Sequence, residues 1–319
     1  RQDILFLKVL CSFREFGSMN GQGQKRKRGG GRAGNAQRRG SASIEQMPWH
    51  LPINNDSPIE PLNEDGVMAI HDGAMRILEE IGVEFLNEKS LRILKKAGCK
   101  ISEQNVRMDR HFVMEMAAKA PSTFDITPRN VKRKITVGGP YILFGNVSSP
   151  PAYWDLEISK KIPGTREMFA NFCKLSQYFN CIHFLGGYPV EPVDLHPSTR
   201  HLDAVFDKLI LSDKVAHAYS LGKERVEDVM EMVRIAGNLS HDEFEASPRM
   251  FTNINSTSPL KHDEPMLDGW MRLAKKNQAL IVTPFTLAGA MAPVTMAGAV
   301  AQSIAEALCV VALAQYIRP

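Results

Sequence analysis

Residues 249–259, RMFTNINSTSP, open as a buried strand and close as a run of small amides and hydroxyls, which Pro259 then breaks. Asn and Ser at such a place have two readings. They bond readily to nearby backbone and so favour turns and caps. Alternatively, they line the floor of a pocket at a strand end. The flanking sequence decides the fold around them. Before this strand comes a helical pattern, ERVEDVMEMVRIAG (224–237), and after it another, PMLDGWMRLAKKN (265–277), which leads to the strand ALIVTPFTLAG (279–289). Further upstream the same alternation runs REMFANFCKLSQYF (166–179), CIHFLGGYPV (181–190), STRHLDAVFDKLILS (198–212) and KVAHAYSL (214–221). Four strands, each separated from the next by one helix, recur at intervals of roughly 30–35 residues. Alternating βα units predict a parallel sheet, either a (β/α)8 barrel or a doubly wound sheet. No glycine-rich phosphate loop follows a strand, so nucleotide binding has no support. Residues 165–319 are therefore expected to form the first half of a (β/α)8 barrel of the TIM type.

The rest of the chain divides by composition. Residues 58–164 read as an N-terminal accessory region of helices followed by short antiparallel strands. Val67, Ile70, Ala74, Ile77, Leu78 and Ile81 recur at helical spacing, with Asn63 or Asp65 as cap and Gly82 as stop. Two further helices, NEKSLRILKKAG and DRHFVMEMAAKAP, precede the strand-like stretches FDITP, KITVGG and YILFGN. Residues 1–57 read as a disordered basic tail, because no acid falls between Phe16 and Ile44. Residues 1–44 carry ten Lys or Arg against two acids, so the remainder is mildly acidic although the whole chain has a net charge of +4. KRKRGGGR (25–32) could serve as a nucleic-acid arm, but a solvated tail is the commoner role for such a run. The five cysteines are scattered with no metal-finger spacing, which points to a reducing, cytoplasmic setting. No membrane span is expected. The apolar helix pattern from Val294 to about Tyr316 ends at IRP with no strand to supply a partner surface, so the chain reads as truncated within a larger barrel.

In parallel sheets ligands sit at the carboxyl ends of the strands. Those ends hold Gly186, Gly187 and Tyr188, then Ala218, Tyr219 and Ser220, then Asn253 to Ser258, then Pro284, Phe285 and Thr286. None of these windows carries a charged side chain. A hydrolase or metal enzyme would place carboxylates or several histidines there, whereas His183 and His217 match no metal spacing. A neutral rim of aromatics and amides suits recognition by shape, hydrogen bonds and cation–π contact. Tyr188, Tyr219 and Phe285 are candidates for an aromatic wall. Asn253, Asn255, Ser256, Ser258 and Thr286 are candidates for polar contacts to a substrate. No catalytic residue and no metal ligand is assigned. Met291 and Glu306 read as packing and interface residues.

IHDGAMRILEEIGVEF (70–85), GGPYILFG (138–145), INSTSPL (254–260) and the last thirty-one residues from Gly289 onward together resemble the trimethylamine methyltransferase family. Its members include enzymes that carry pyrrolysine and relatives without it that demethylate glycine betaine and similar compounds. The resemblance implies a (β/α)8 barrel in which a methylated amine gives a methyl group to the Co(I) of a separate corrinoid protein. It also implies no cofactor bound directly, with the corrinoid (a cobalamin) supplied by the partner, and it leaves a homo-oligomer open. The pyrrolysine position would lie beyond Pro319, and the present chain would be inactive alone. A quaternary ammonium leaves as a neutral amine, which fits strand ends without a general acid. The amide and hydroxyl supply at 253–258 suits a substrate bearing a carboxylate, so a betaine is favoured over trimethylamine. The competing expectations are another barrel enzyme sharing only the scaffold and a nucleic-acid-binding protein using the basic arm.

Overall fold

The computed structural model describes residues 44–319. The basic run expected as a nucleic-acid arm lies outside the described residues. Residues 46–54 fall within the stretch read as tail, yet Trp49 and Leu51 pack against Phe184 and the strands that carry Ile126 and Ile135.

The N-terminal helices form where their caps predict. Helix α1 (Glu64–Arg76) starts with Asn63 Oδ1 accepting the Gly66 N–H, continues through a π-turn at Ile77–Ile81, and stops at Gly82, whose φ is +86°. Asn87 caps α2 (Glu88–Lys96) and Asp109 caps α3 (Arg110–Lys119). Between these helices lie three short strands with no clear alternation in the sequence: β1 (Val83–Phe85), β2 (Lys100–Ser102) and β3 (Asn105–Arg107). Two antiparallel hairpins follow. The first pairs β4 (Thr123–Ile126) with β5 (Ile135–Gly138), and the second pairs β6 (Ala152–Asp155) with β7 (Lys160–Pro163). YILFGN makes only isolated bridges, at Tyr141 and Gly145.

From Thr165 the βα rhythm holds, with one strand reduced. Helices α4 (Arg166–Tyr178) and α5 (Arg200–Leu211) precede β8 (Ala216–Tyr219). Then come α6 (Lys223–Ala236), a short α7 (His241–Ala246) with a capping box from Ser240 and Glu243, and β9 (Met250–Ile254). A two-residue β10 (Lys261–His262), α8 (Glu264–Lys275), β11 (Ala279–Val282) and α9 (Met296–Ile317) complete the order. Strands β8, β9 and β11 form a parallel sheet in the order β11-β9-β8. The expected strand at 181–190 is a single bridge instead: Phe184 pairs in parallel with Val215 and with Gly145. Gly186 and Gly187 interrupt it, and its Gly186 N–H goes to the Asn146 side chain rather than to a ladder. Four predicted strands are therefore three strands and a bridge. The described residues form a mixed α/β fold with several small sheets, and no closed barrel is found among them.

Alternation along the parallel sheet sets its two faces. Ala216, Ala218 and Met250 pack against Val226, Val229 and Met230 of α6. On the other face Phe251 and Ala279 pack with Ile126, Ile135 and Phe184. The register sets His217, Phe251 and Ala279 in one row across the sheet, and Tyr219, Asn253 and Ile281 in the next. The row nearer the strand ends thus carries Tyr219 and Asn253, and the row below it carries His217.

The apolar helix α9 does have a partner surface, which the N-terminal helices provide. It packs on α1, α3 and α8, and Cys309, Val310 and Leu313 share one core with Met75, Leu78, Val113 and Trp270. Each such fully buried large side chain contributes about 1.5–3 kcal/mol. By length and composition alone, α9 could cross a membrane, but half of its most apolar window is buried in the protein and its Gln302 and Glu306 are buried too. Strand β1 pairs with β10 in parallel as well as with β3, so it ties the N-terminal region to the loop that follows β9.

Candidate active site

Tyr219 ends β8 and gathers the strand ends around its hydroxyl. That oxygen accepts the Tyr188 N–H at 3.0 Å and bonds the Ser148 Oγ at 3.0 Å and the Ser149 Oγ. The two tyrosine rings meet edge to face, with centroids 4.8 Å apart at 87°. Gly187 makes the approach possible. Its φ is +136°, and a Cβ there would lie 2.0 Å from the Ser148 Oγ and 2.6 Å from the Tyr219 oxygen.

His217 lies two residues back on the same strand face, its ring 4.8 Å from that of Tyr219. Its Nε2 is 2.6 Å from Asn253 Oδ1, so the bond assigns the proton to Nε2. Asn253 in turn donates to Asn255 Oδ1 at 3.2 Å, and Asn255 Oδ1 also accepts the Thr283 hydroxyl. These four side chains form a continuous polar rail from the His217 row of the sheet to the strand ends. Burial pushes the His217 imidazole down to about 3, the Lys208 charge adds to this, and the Asn253 bond opposes it. The ring is therefore neutral at physiological pH, and its Nδ1 is buried with no hydrogen-bond partner.

Lys208 of α5 reaches the same strand. Its ammonium donates to the His217 carbonyl at 2.9 Å and the Gly187 carbonyl at 3.3 Å, and it sits 5.3 Å from the Tyr188 ring centroid. No carboxylate pairs with it among the described residues, and burial pushes it down to about 8. One face of Tyr188 thus already holds a cation. Burial also pushes the Tyr188 phenol up.

A cavity of ≈ 170 Å³ opens here. Tyr188, Tyr219 and His217 line it together with Glu191, Arg200, His201 and Arg225. Among the described residues no cluster of His, Cys, Asp and Glu is placed to hold a metal ion.

The structure separates the predicted residues into two groups. Tyr188 and Tyr219 line the cavity, and Asn253 and Asn255 belong to the rail that runs on from His217. Ser256, Ser258, Phe285 and Thr286 do neither. Ser256 Oγ meets Ser258 Oγ at 3.0 Å, and Ser258 donates to the buried Glu306 carboxylate at 2.6 Å. That carboxylate also accepts the Leu260 N–H and the Gln302 amide, both at 2.8 Å, which makes Glu306 the structural partner its sequence setting implied. Phe285 is 56% exposed and pairs with neither tyrosine, and Thr286 bonds Ser303 of α9. His217, Lys208, Ser148 and Ser149 were not singled out from sequence. Period-two alternation could have found His217, because it shares a strand face with Tyr219. The others come from loops and a helix brought in by tertiary packing.

The family model described as Trimethylamine methyltransferase (MTTB) matches residues 28–319. The chain is 35% identical over 258 residues to the glycine betaine methyltransferase of Desulfitobacterium hafniense (strain Y51), covering 81% of this chain and 53% of that protein. It is 24% identical over 264 residues to the trimethylamine methyltransferase MttB of Desulfitobacterium hafniense (strain DSM 10664 / DCB-2), covering 79% and 51%. The chain spans about half the length of the curated relatives it matches. With a family match that runs over most of its length, the chain belongs to the trimethylamine methyltransferase family.

Proposed function

We propose that the chain is the part of a methyltransferase that holds a methylated amine, a betaine in preference to trimethylamine, and presents a methyl group to the Co(I) of a corrinoid on a separate protein. The observation that carries this reading is the perpendicular Tyr188–Tyr219 pair above a neutral His217 in one small cavity. The barrel expected for such an enzyme is supported by the parallel order β11-β9-β8.

The lining fits an acceptor that arrives from outside. Ser149 is its one small nucleophilic side chain, and that hydroxyl is bonded to Tyr219. A corrinoid borne by a partner would supply the electron pair that takes the methyl group. This chain's own residues orient and desolvate. Tyr219, which lines the cavity, can take a methylammonium against its ring, worth roughly 0.5–2 kcal/mol per good contact. His217 adds no positive charge to oppose it. The departing amine is neutral, so no proton must be delivered. Holding the methyl group in line contributes through orientation, which can supply several kcal/mol of barrier reduction.

The test uses the full-length protein, a Co(I) corrinoid protein and a panel of methylated amines, with methyl transfer followed by loss of the Co(I) absorbance. Transfer from a betaine, weakened at least tenfold by Tyr219→Ala, is the expected result. No transfer from any quaternary amine would overturn the reading. Unchanged transfer in Tyr219→Ala would remove Tyr219 from the site.

A further inference from the structure

The cavity contains a cation that the protein leaves uncommitted. Of its two arginines, Arg200 is fully engaged: its guanidinium pairs with Glu191 at 2.9 Å and donates twice to the Leu195 carbonyl, at 2.9 and 3.3 Å. Arg225, in the first turn of α6, makes one contact of 3.3 Å to the Pro197 carbonyl and no ion pair among the described residues. Glu191 is the cavity's one carboxylate and is already matched to Arg200. The lining therefore keeps one unmatched positive charge. In the same lining His201 is nine-tenths buried. Its Nε2 bonds Asp228 at 2.8 Å, while its Nδ1 has no partner.

An unmatched guanidinium discriminates among methylated amines. It repels a bare methylammonium and gains nothing from a neutral amine. A zwitterion can meet it with a carboxylate while its ammonium end lies against the tyrosines, and a guanidinium fork binds carboxylates in two-point fashion. The volume of ≈ 170 Å³ suits a small molecule, being well below the roughly 300–1,000 Å³ of drug-sized sites.

We propose that Arg225 is the specificity-determining residue of this cavity and binds the carboxylate of a small zwitterionic substrate, with His201 of the same lining as a further polar contact. This rests on the reading of the cavity as the methylated-amine site. It also moves the carboxylate contact from the 253–258 segment to the helix side of the pocket.

Calorimetry on the full-length protein with two probes tests it: glycine betaine, which carries a carboxylate, and tetramethylammonium, which does not. Arg225→Gln is expected to weaken glycine betaine roughly 10- to 100-fold and to leave tetramethylammonium unchanged or tighter. Arg225→Lys should restore part of the betaine affinity, which also excludes misfolding as the cause. Equal losses for both probes, or no loss for betaine, would overturn the proposal, as would a wild-type protein that binds tetramethylammonium but not betaine. Arg225-dependent betaine binding without methyl transfer would sink the methyltransferase reading and leave this assignment standing.

Discussion

The amide-rich segment that ends β9 has two halves with opposite destinations. Asn253 and Asn255 extend a rail between His217, which lines the cavity, and Thr283. Ser256 and Ser258 turn the other way, to the Glu306 carboxylate on α9. The composition is continuous, yet one half joins the rail that starts at His217 and the other anchors α9. The partner makes the difference. Glu306 is wholly buried and needs several donors, so it draws the serines and the Leu260 N–H to itself. The asparagines meet only neutral groups, and some of their hydrogen-bonding capacity remains for other molecules.

Breaking the structural half should have the largest effect. Glu306→Ala leaves the Ser258, Leu260 and Gln302 donors without their acceptor. At about 1–3 kcal/mol for each buried unsatisfied group, partly relieved by water, a loss of about 3–5 kcal/mol is expected in urea unfolding. A loss below about 1 kcal/mol would show that this region does not depend on the carboxylate.

The cavity half should respond to pH. His217 stays neutral when folded down to about pH 3, whereas its ordinary value is 6.5. Between those values the unfolded chain binds more protons, so stability falls as pH drops from about 6.5 towards about 3. The contribution of one such group approaches 1.4 kcal/mol per pH unit. His183 and His262 are also pushed down by burial and add to the slope. His217→Gln should flatten that slope by the share of one proton while keeping a donor for Asn253. An unchanged slope in denaturation curves at several pH values would mean that His217 is charged in the folded chain.

The smallest effect should come from Phe285, which joins neither half. Phe285→Ser should change stability by less than about 0.5 kcal/mol, as is usual for exposed positions, and leave betaine affinity within twofold. A tenfold loss of affinity would return it to the aromatic wall.

Sequence reading succeeded where the signal was local. The caps at Asn63, Asp109 and Thr165 mark their helices because a side-chain oxygen near a helix start has few better uses. Strand–helix alternation located β8, β9 and β11. It overcalled 181–190, where glycines that serve the site break the ladder. The pairing of β1 with β10 joins Phe85 to His262, and neither short strand carries a pattern that names its partner. Strand-end position picked out Tyr188 and Tyr219, which the structure brings together at one cavity. It could not tell Asn255 from Ser256, because the choice is set by Glu306, a helix away in the sequence. Arg225 was invisible for a related reason: its meaning lies in what Arg200 and Glu191 have already done with each other.

Lys208 makes the site its own clock. Its amine is about half deprotonated near pH 8 and would be an able nucleophile, but only 1% of the residue meets solvent. An acylating reagent can reach it only when α5 lifts from β8. The rate at which Lys208 is labelled, compared with an exposed lysine such as Lys223, therefore counts how often the floor beneath the tyrosines opens. A substrate that settles against those tyrosines should slow the count.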